Sequence, residues 1–305
     1  MINRVILKNF KKIEHEEFIL TDFDLLVGAN NSGKSTLLQA LAIWQYCVEQ
    51  FSRTKRSGSR GIQIVLPDFT ALPLPEFILL WRNKTERKNV KNADGKNKPD
   101  FILIEIEVFW SYYENKVEVT NSLNIHLRYQ SPLSVYAIPA LGFDEFRKAA
   151  VSTGFPNIVY VPPFSGLEPI EKWQDDGNVK QNVGKGQPGS VLRNLLFRVI
   201  DKTDENGKVM DSSKIQDWVE IQNKIQQWFG IEINNPNYIK GQSTMITQTY
   251  SVDKKEYDII SAGSGFHQIL TLLAFIYGYP GISTILFDEP DAHLHVNLQK
   301  QILAY

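Results

Sequence analysis

The stretch Gly28-Ala29-Asn30-Asn31-Ser32-Gly33-Lys34-Ser35-Thr36 constrains this 305-residue chain more than any other. It satisfies G-x-x-x-x-G-K-[ST] in full, and its flanks supply the context that pattern requires. Before it, DFDLLVG is nearly continuous in apolar residues and predicts a buried strand ending at Val27. After it, Leu37, Leu38, Leu41 and Trp44 recur at helical spacing through about Val48. A strand, a glycine-rich loop and a helix in that order make an anion cradle. Glycines let backbone amides turn inward around phosphates, and the helix N-terminus adds roughly half a positive charge. Lys34 would neutralise the β and γ oxygens, and the Ser35 hydroxyl would ligate Mg²⁺.

A second feature is Ile282-Ser283-Thr284-Ile285-Leu286-Phe287-Asp288-Glu289-Pro290, an apolar strand ending in two adjacent carboxylates. Asp288 is expected at the strand's C-terminal end, where phosphate and metal sites of parallel α/β sheets lie, so it can hold Mg²⁺ through water. Glu289 points the other way along the pleat and is placed to orient or deprotonate an attacking water. Taken alone, the segment also reads as an ordinary strand with an acidic turn before proline. Between the two lies Ser261-Ala262-Gly263-Ser264-Gly265-Phe266-His267-Gln268, a second Ser/Gly-rich helix start. It offers amides, a dipole and a hydroxyl but no lysine, which suits a segment that completes a phosphate cage; a plain helix N-cap is the other reading.

The rest of the chain sets limits. With 33 Lys+Arg against 34 Asp+Glu, global charge gives no argument for nucleic acid or anionic membrane as partner. Only the local basic loops 53–60 and 82–98 could touch a phosphate backbone; the second has seven Lys/Arg against Glu86 and Asp94 and is expected to be a solvated, mobile loop. One cysteine, Cys47, excludes an internal disulfide, and no signal peptide or run of ~18 apolar residues is present, so a cytoplasmic protein without a membrane span is expected. Period-two alternation in FILIEIEVFW (101–110) and VEVTNSLNIHLRY predicts an antiparallel sheet with a turn near Glu114-Asn115. NIVYVPP (157–163) reads as a buried strand, and the glycine-rich Asp175 to Ser190 as a mobile loop. Ser190 is expected to cap one helix, and Asp211 or Ser212 another that Gly230 ends. Trp81, Trp110, Trp173 and Trp218 read as core or edge residues. His293 and His295, two apart on a helix, would point away from each other and make no metal site. Asn83-Lys84-Thr85-Glu86 approaches a guanine-reading pattern but ends in Glu, which favours adenine.

The order of these elements resembles the ATPase heads of the ABC superfamily, and within it the soluble SMC, RecF and OLD-like branch of AAA-type ATP-binding proteins. The opening strand, Asn9-Phe10-Lys11, GANNSGKST and the DEPDAHLH run carry the likeness; residues 52–253 match no motif of the family. The resemblance implies a P-loop NTPase of α/β class, with a mixed central sheet, an antiparallel β subdomain and an inserted helical region. It implies one head over 1–305: N-terminal strands and phosphate loop in 1–50, an insertion in 51–253, and the signature helix and acidic strand in 254–305. ATP and Mg²⁺ would bind at Gly28, Ala29, Asn30, Asn31, Ser32, Gly33, Lys34, Ser35 and Thr36, with Ser35 and Asp288 on the metal and Glu289 as base. A homodimer would close around the nucleotide, with Ser264 and Gly265 reaching the partner's phosphates and Ser261, Gln268, Asp291 and His295 near the interface. Lys11 is similar in placement to a basic residue that approaches the nucleotide in SMC-like heads. The family continues with a further strand bearing a phosphate-sensing histidine, whereas this sequence ends at Tyr305, sixteen residues after Glu289. The expected function is an ATP-binding, ATP-hydrolysing head that controls a DNA-directed or phage-defence partner, such as an effector nuclease or toxin subunit. A regulatory subunit without hydrolysis and a P-loop GTPase or kinase are the alternatives; no nuclease activity is assigned to the chain itself.

Overall fold

The computed structural model describes residues 1–29, 32–55, 61–91, 97–114, 117–152, 154–202, 210–212, 215–278 and 282–290. These divide into two compact units: residues 1–160 with 282–286, and 161–278 with 287–290.

The first unit contains β1 (Ile2–Phe10), β2 (Ile13–Ile19), α1 (Lys34–Arg53), β3 (Ile62–Val65), β4 (Arg87–Lys91), β5 (Asn97–Phe101), β6 (Ile104–Glu114), β7 (Val117–Ser131), β8 (Ser134–Pro139), α2 (Gly142–Ser152) and β9 (Ile158–Val161). Six strands form one sheet in the order β2-β1-β6-β7-β8-β3, every neighbouring pair antiparallel. Period-two patterning decides its faces. Val5, Leu7, Ile104, Ile106, Val108, Ile125 and Leu127 are buried on one side, while Lys8, Glu105 and Glu107 alternate with them on the other. Helix α1 contributes a broad buried face from Leu37 through Phe51, and the indole of Trp44 donates to the carbonyl of Leu123 at 3.0 Å. Phe51 stands edge-on to Phe143 and Phe146 of α2, with centroids 5.4 Å away in each case. Each such large apolar side chain removed from water stabilises by roughly 1.5–3 kcal/mol. Cys47 is buried among these residues, and desolvation pushes its thiol pKa up.

In the second unit lie α3 (Asp176–Gly184), α4 (Leu192–Ile200), α5 (Gln216–Phe229), β10 (Glu232–Ile233), β11 (Thr249–Val252), β12 (Lys255–Asp258) and α6 (Ser264–Gly278). β10, β11 and β12 make a three-stranded antiparallel sheet. Phe266 to Phe275 are all buried, the polar His267, Gln268 and Thr271 among them satisfied by hydrogen bonds to carbonyls, and α4 and α5 pack against this helix. At its end, Gly278 lies so near α4 that a β-carbon there would sit 2.9 Å from the Leu195 carbonyl oxygen.

The β6–β7 hairpin (104–131), the strand at β9, the helix stop at Gly230 (φ 70°) and the burial of Trp81, Trp110 and Trp218 agree with the sequence reading, although Phe101 belongs to β5. Four expectations are corrected. Residues 24–27 form no strand: among the described residues they have no ladder partner, and Leu25 and Val27 are 60% and 83% exposed. Of this apolar run only Leu26 packs against the core, and without a neighbour to accept its hydrogen bonds the segment gains neither burial nor a ladder. The basic segment 82–98 is not simply a loop, because β4 pairs antiparallel with β5 across it. Charge masked the alternation there: Lys88 faces Asp100, and the Arg87 guanidinium lies 4.9 Å from the Phe101 ring centroid. The glycine-rich 175–190 segment contains α3, whose start Asp175 caps by accepting from the Asn178 amide at 2.8 Å. Ser190 donates its hydroxyl to Gln187 and caps nothing; the N-cap positions of α4 and α5 are Val191 and Ile215, neither with a side-chain cap. Trp173 is 46% exposed, an edge residue stacked on Tyr238.

Candidate functional site

The glycine-rich loop of the first unit is shaped by its own side chains. Gly33, at φ 100°, takes the left-handed conformation at the N-cap of α1, which a β-carbon would strain. A β-carbon on Gly28 would lie 2.8 Å from Ser32 Oγ, so the Ser32 hydroxyl would have to turn aside for any other residue there. Lys34 Nζ donates to the carbonyls of Gly28 at 2.7 Å and Ala29 at 3.0 Å, which holds the ammonium over the loop. The Ser32 amide reaches Ala29 O at 3.2 Å and the Thr36 amide reaches Gly33 O at 2.9 Å. Helix α1 has no acidic residue in its first turn, so nothing of its own neutralises the positive end of a 20-residue dipole. Thr36 is buried and Ser35 half-buried at that end. Asn30 and Asn31 lie outside the described residues. Lys11, placed by a left-handed turn after β1, donates its ammonium to Gln39 on α1.

The acidic pair follows β13 (Thr284–Phe287), which pairs with β9. Ser283 and Thr284 donate to Asn157 O and Asp288 donates to Val161 O, so the bonds advance in step and the pair is parallel. Asp288 therefore sits at the C-terminal end of a parallel strand, 9% exposed. Glu289 is exposed and holds φ 52° directly before Pro290, a left-handed torsion that costs an L-residue about 1–2 kcal/mol. What holds this turn is Gln268, whose side-chain amide donates to the carbonyls of Glu289 at 3.1 Å and Pro290 at 2.6 Å. Gln268, expected near a subunit interface, is 3% exposed and faces the interior of its own unit. A small cavity beside Asp288 is lined by Val161, Phe164, Gln268, Thr271 and Pro290.

The two candidate serines differ in what surrounds them. Ser261 closes a 3-10 turn (Ile259–Ser261), with its hydroxyl donating to Asp258 O at 2.7 Å and 3.3 Å from Tyr250 Oη. Ser264 opens α6 and is exposed, with Gly265 half-buried behind it. Both serines are exposed, but the hydroxyl of Ser261 is engaged within its own turn whereas Ser264 stands at a helix start. Asp291 and His295 lie outside the described residues, as does the rest of the DEPDAHLH run after Pro290.

The chemistry of the separate groups suits ATP with Mg²⁺: in the first unit a lysine lies over a tight glycine loop at a helix N-terminus, with the Ser35 hydroxyl as a hard oxygen donor, and in the second unit the Asp288 carboxylate is another such donor. Among the described residues no group of three or more His, Cys, Asp or Glu side chains could hold a metal, so phosphate oxygens and water would complete the shell. Sequence reasoning singled out neither Arg193 nor Asp258, which brace the turn before Ser264. Their one sequence signal is an arginine inside the apolar run VLRNLLFRVI.

Residues 1–127, which include the glycine loop and all of α1, match the AAA ATPase domain family, and this supports an ATPase at the level of the family. Among solved structures the chain is similar to the Smc head domain of Pyrococcus furiosus with an extended coiled coil, bound to the C-terminal domain of ScpA. That likeness has 16% identity and a TM-score of 0.47, covering 99% of this chain and 85% of the other. No curated protein matches the chain. Among the described residues no helix is long and apolar enough to cross a membrane.

Proposed function

We propose that this chain is a cytoplasmic ABC-type ATPase head that binds ATP with Mg²⁺, dimerises around the nucleotide and hydrolyses it to control a DNA-directed or phage-defence partner. The observation that carries the reading is the loop 28–36, with Lys34 held over it at the N-terminus of α1, inside the segment that matches the ATPase family.

The roles follow from side-chain chemistry. The amides of the loop and the Lys34 ammonium bind the β and γ phosphates, and the rigid backbone sets their position. Ser35 and Asp288 hold the metal, the latter through water. Mg²⁺ held there would supply positive charge to the phosphate oxygens. Glu289, on an exposed turn, accepts a proton from the attacking water. Ser264 and the amides at the start of α6 meet the terminal phosphate from a second copy. Exposed Arg87 and Lys88 of the β4–β5 hairpin suit the phosphate backbone of a nucleic-acid partner.

Light scattering and phosphate release test this together. Lys34→Ala is expected to weaken ATP binding roughly ten- to hundredfold, the loss of a charge-assisted bond. Glu289→Gln is expected to bind ATP, lose turnover by about 10²–10⁴-fold and accumulate a dimer of doubled mass. One mass with and without ATP for wild type and both variants refutes the dimer mechanism. Tight ATP binding with phosphate release at background selects a regulatory subunit without hydrolysis instead.

A further inference from the structure

The turn that precedes α6 is bound from several directions. Asp258 Oδ1 accepts from the amide of Ile260 at 2.9 Å, and the same oxygen accepts from Arg193 Nη2 at 2.9 Å. The amide of Ile259 donates to Gln248 O at 3.0 Å. His267 Nε2 stands 2.5 Å from the Ile259 carbonyl, an acceptor only, so that nitrogen carries the proton. Ser261 closes the ring of bonds onto Asp258 O.

Arg193 is the second residue of α4 and is 1% exposed. Besides Asp258 it donates to Glu168 O at 2.8 Å and lies 3.9 Å from Glu171 Oε2. Glu171, equally buried, accepts from the amides of Arg193 at 2.8 Å and Asn194 at 2.6 Å and from Asn194 Nδ2 at 2.7 Å, which satisfies the start of α4. A buried guanidinium needs anions in a fixed fork geometry, and apolar residues of similar volume would fill the space at no electrostatic cost. Its retention here has a visible result: the position of one carboxylate, Asp258, is dictated by α4.

We infer that Arg193 is a positioning residue for the serine-bearing start of α6, fixing Asp258, through it the turn Ile259–Ser261, and so the place where Ser264 and its neighbouring amides meet the terminal phosphate of ATP. The inference rests on the reading of Ser264 given under Proposed function. Arg193 itself, 1% exposed and enclosed by the Glu168 carbonyl, Glu171 and Asp258, would act through these neighbours and not by contact with the nucleotide.

The test uses the full chain and compares wild type with Asp258→Asn and Arg193→Lys. The Asp258 side chain is 41% exposed, and asparagine keeps an oxygen for the Ile260 amide while discarding the charge Arg193 needs. For Asp258→Asn the affinity for a fluorescent ATP analogue should stay within about twofold, since Lys34 and its loop are untouched. Phosphate release at saturating ATP should fall about ten- to hundredfold, the effect of a misplaced phosphate contact. Where wild-type turnover is at background, the ATP-dependent dimer mass is the readout and should be lost. Hydrogen exchange of the amides 259–266 should quicken, and Arg193→Lys, which retains charge without the fork, should fall between. A wild type with neither turnover nor an ATP-dependent mass overturns the proposed function and this inference with it. A wild-type response that Asp258→Asn leaves intact, or that falls in parallel with ATP affinity, overturns this inference alone. So does an Asp258→Asn chain that circular dichroism shows unfolded, because the pair would then support the whole unit.

Discussion

Glu289 is exposed and combines a left-handed torsion with a following proline, two conditions under which an L-residue's backbone is strained. The bonds from Gln268 to the two carbonyls of that turn are what keep it so. Strain of this kind is tolerated where a side chain must stand in one place, and Glu289 is the residue to which proton abstraction is given above. Glu289→Gly, which removes the β-carbon, is therefore expected to raise stability by about 0.5–1 kcal/mol while abolishing phosphate release. Urea unfolding midpoints beside a phosphate assay check it; a lower midpoint in the variant would show the turn to be relaxed as it stands. Buried Arg193 shows the opposite arrangement, an unstrained residue whose charge compels its neighbours.

Among elements, the α4–α6 crossing is set by a residue without a side chain. With a β-carbon at Gly278 only 2.9 Å from Leu195 O, Gly278→Ala must push the helices apart or tilt them, at a cost of about 1–3 kcal/mol. A variant as stable as wild type in urea would mean that the helix ends shift freely. Element by element, legibility in the sequence followed the range of the forces involved. The loop and α1 were readable because Gly33, Lys34 and the Leu37–Leu41 spacing act within a few residues of one another. The β6–β7 hairpin was readable because alternation repeats over many positions. Residues 24–27 misled because an apolar run does not show whether a partner strand lies beside it, and here only Leu26 reaches the core. The hairpin β4–β5 and helix α3 escaped notice because their apolar faces are too small to leave a periodic trace. Lys34, Asp288 and Ser264 could be singled out from local pattern as candidates, but the bracing of the 258–261 turn by α4 could not. Arg193 and Asp258 are 65 residues apart, and nothing local marks them as partners.

At the scale of the whole molecule, two buried titratable groups give stability a pH dependence with opposite signs. Burial pushes Glu171 up from 4.5 to about 7, against the bonds from Asn194 and Arg193 that favour its charged form. The folded chain then binds a proton more tightly than the unfolded one between those values, so this group lowers stability as pH rises through that window. Burial holds His267 below its usual 6.5, with the nearby Arg193 acting the same way and the Ile259 carbonyl and Asp258 against it. Its contribution is complete above 6.5 and declines as pH falls. Glu171→Gln removes the first dependence alone. The difference in urea stability, variant minus wild type, should therefore grow by roughly 3 kcal/mol from pH 4.5 to 7.5. A flat difference would mean that Glu171 stays charged throughout.

Cys47 is the only sulfhydryl in the sequence and is wholly enclosed in the first unit's core, where its thiolate is disfavoured. The folded surface is thus chemically blank to maleimides. A fluorophore or spin label would attach only at a cysteine introduced for it, so donor and acceptor dyes, one on each unit, could serve as a molecular ruler during nucleotide turnover without first stripping the native residue from the protein.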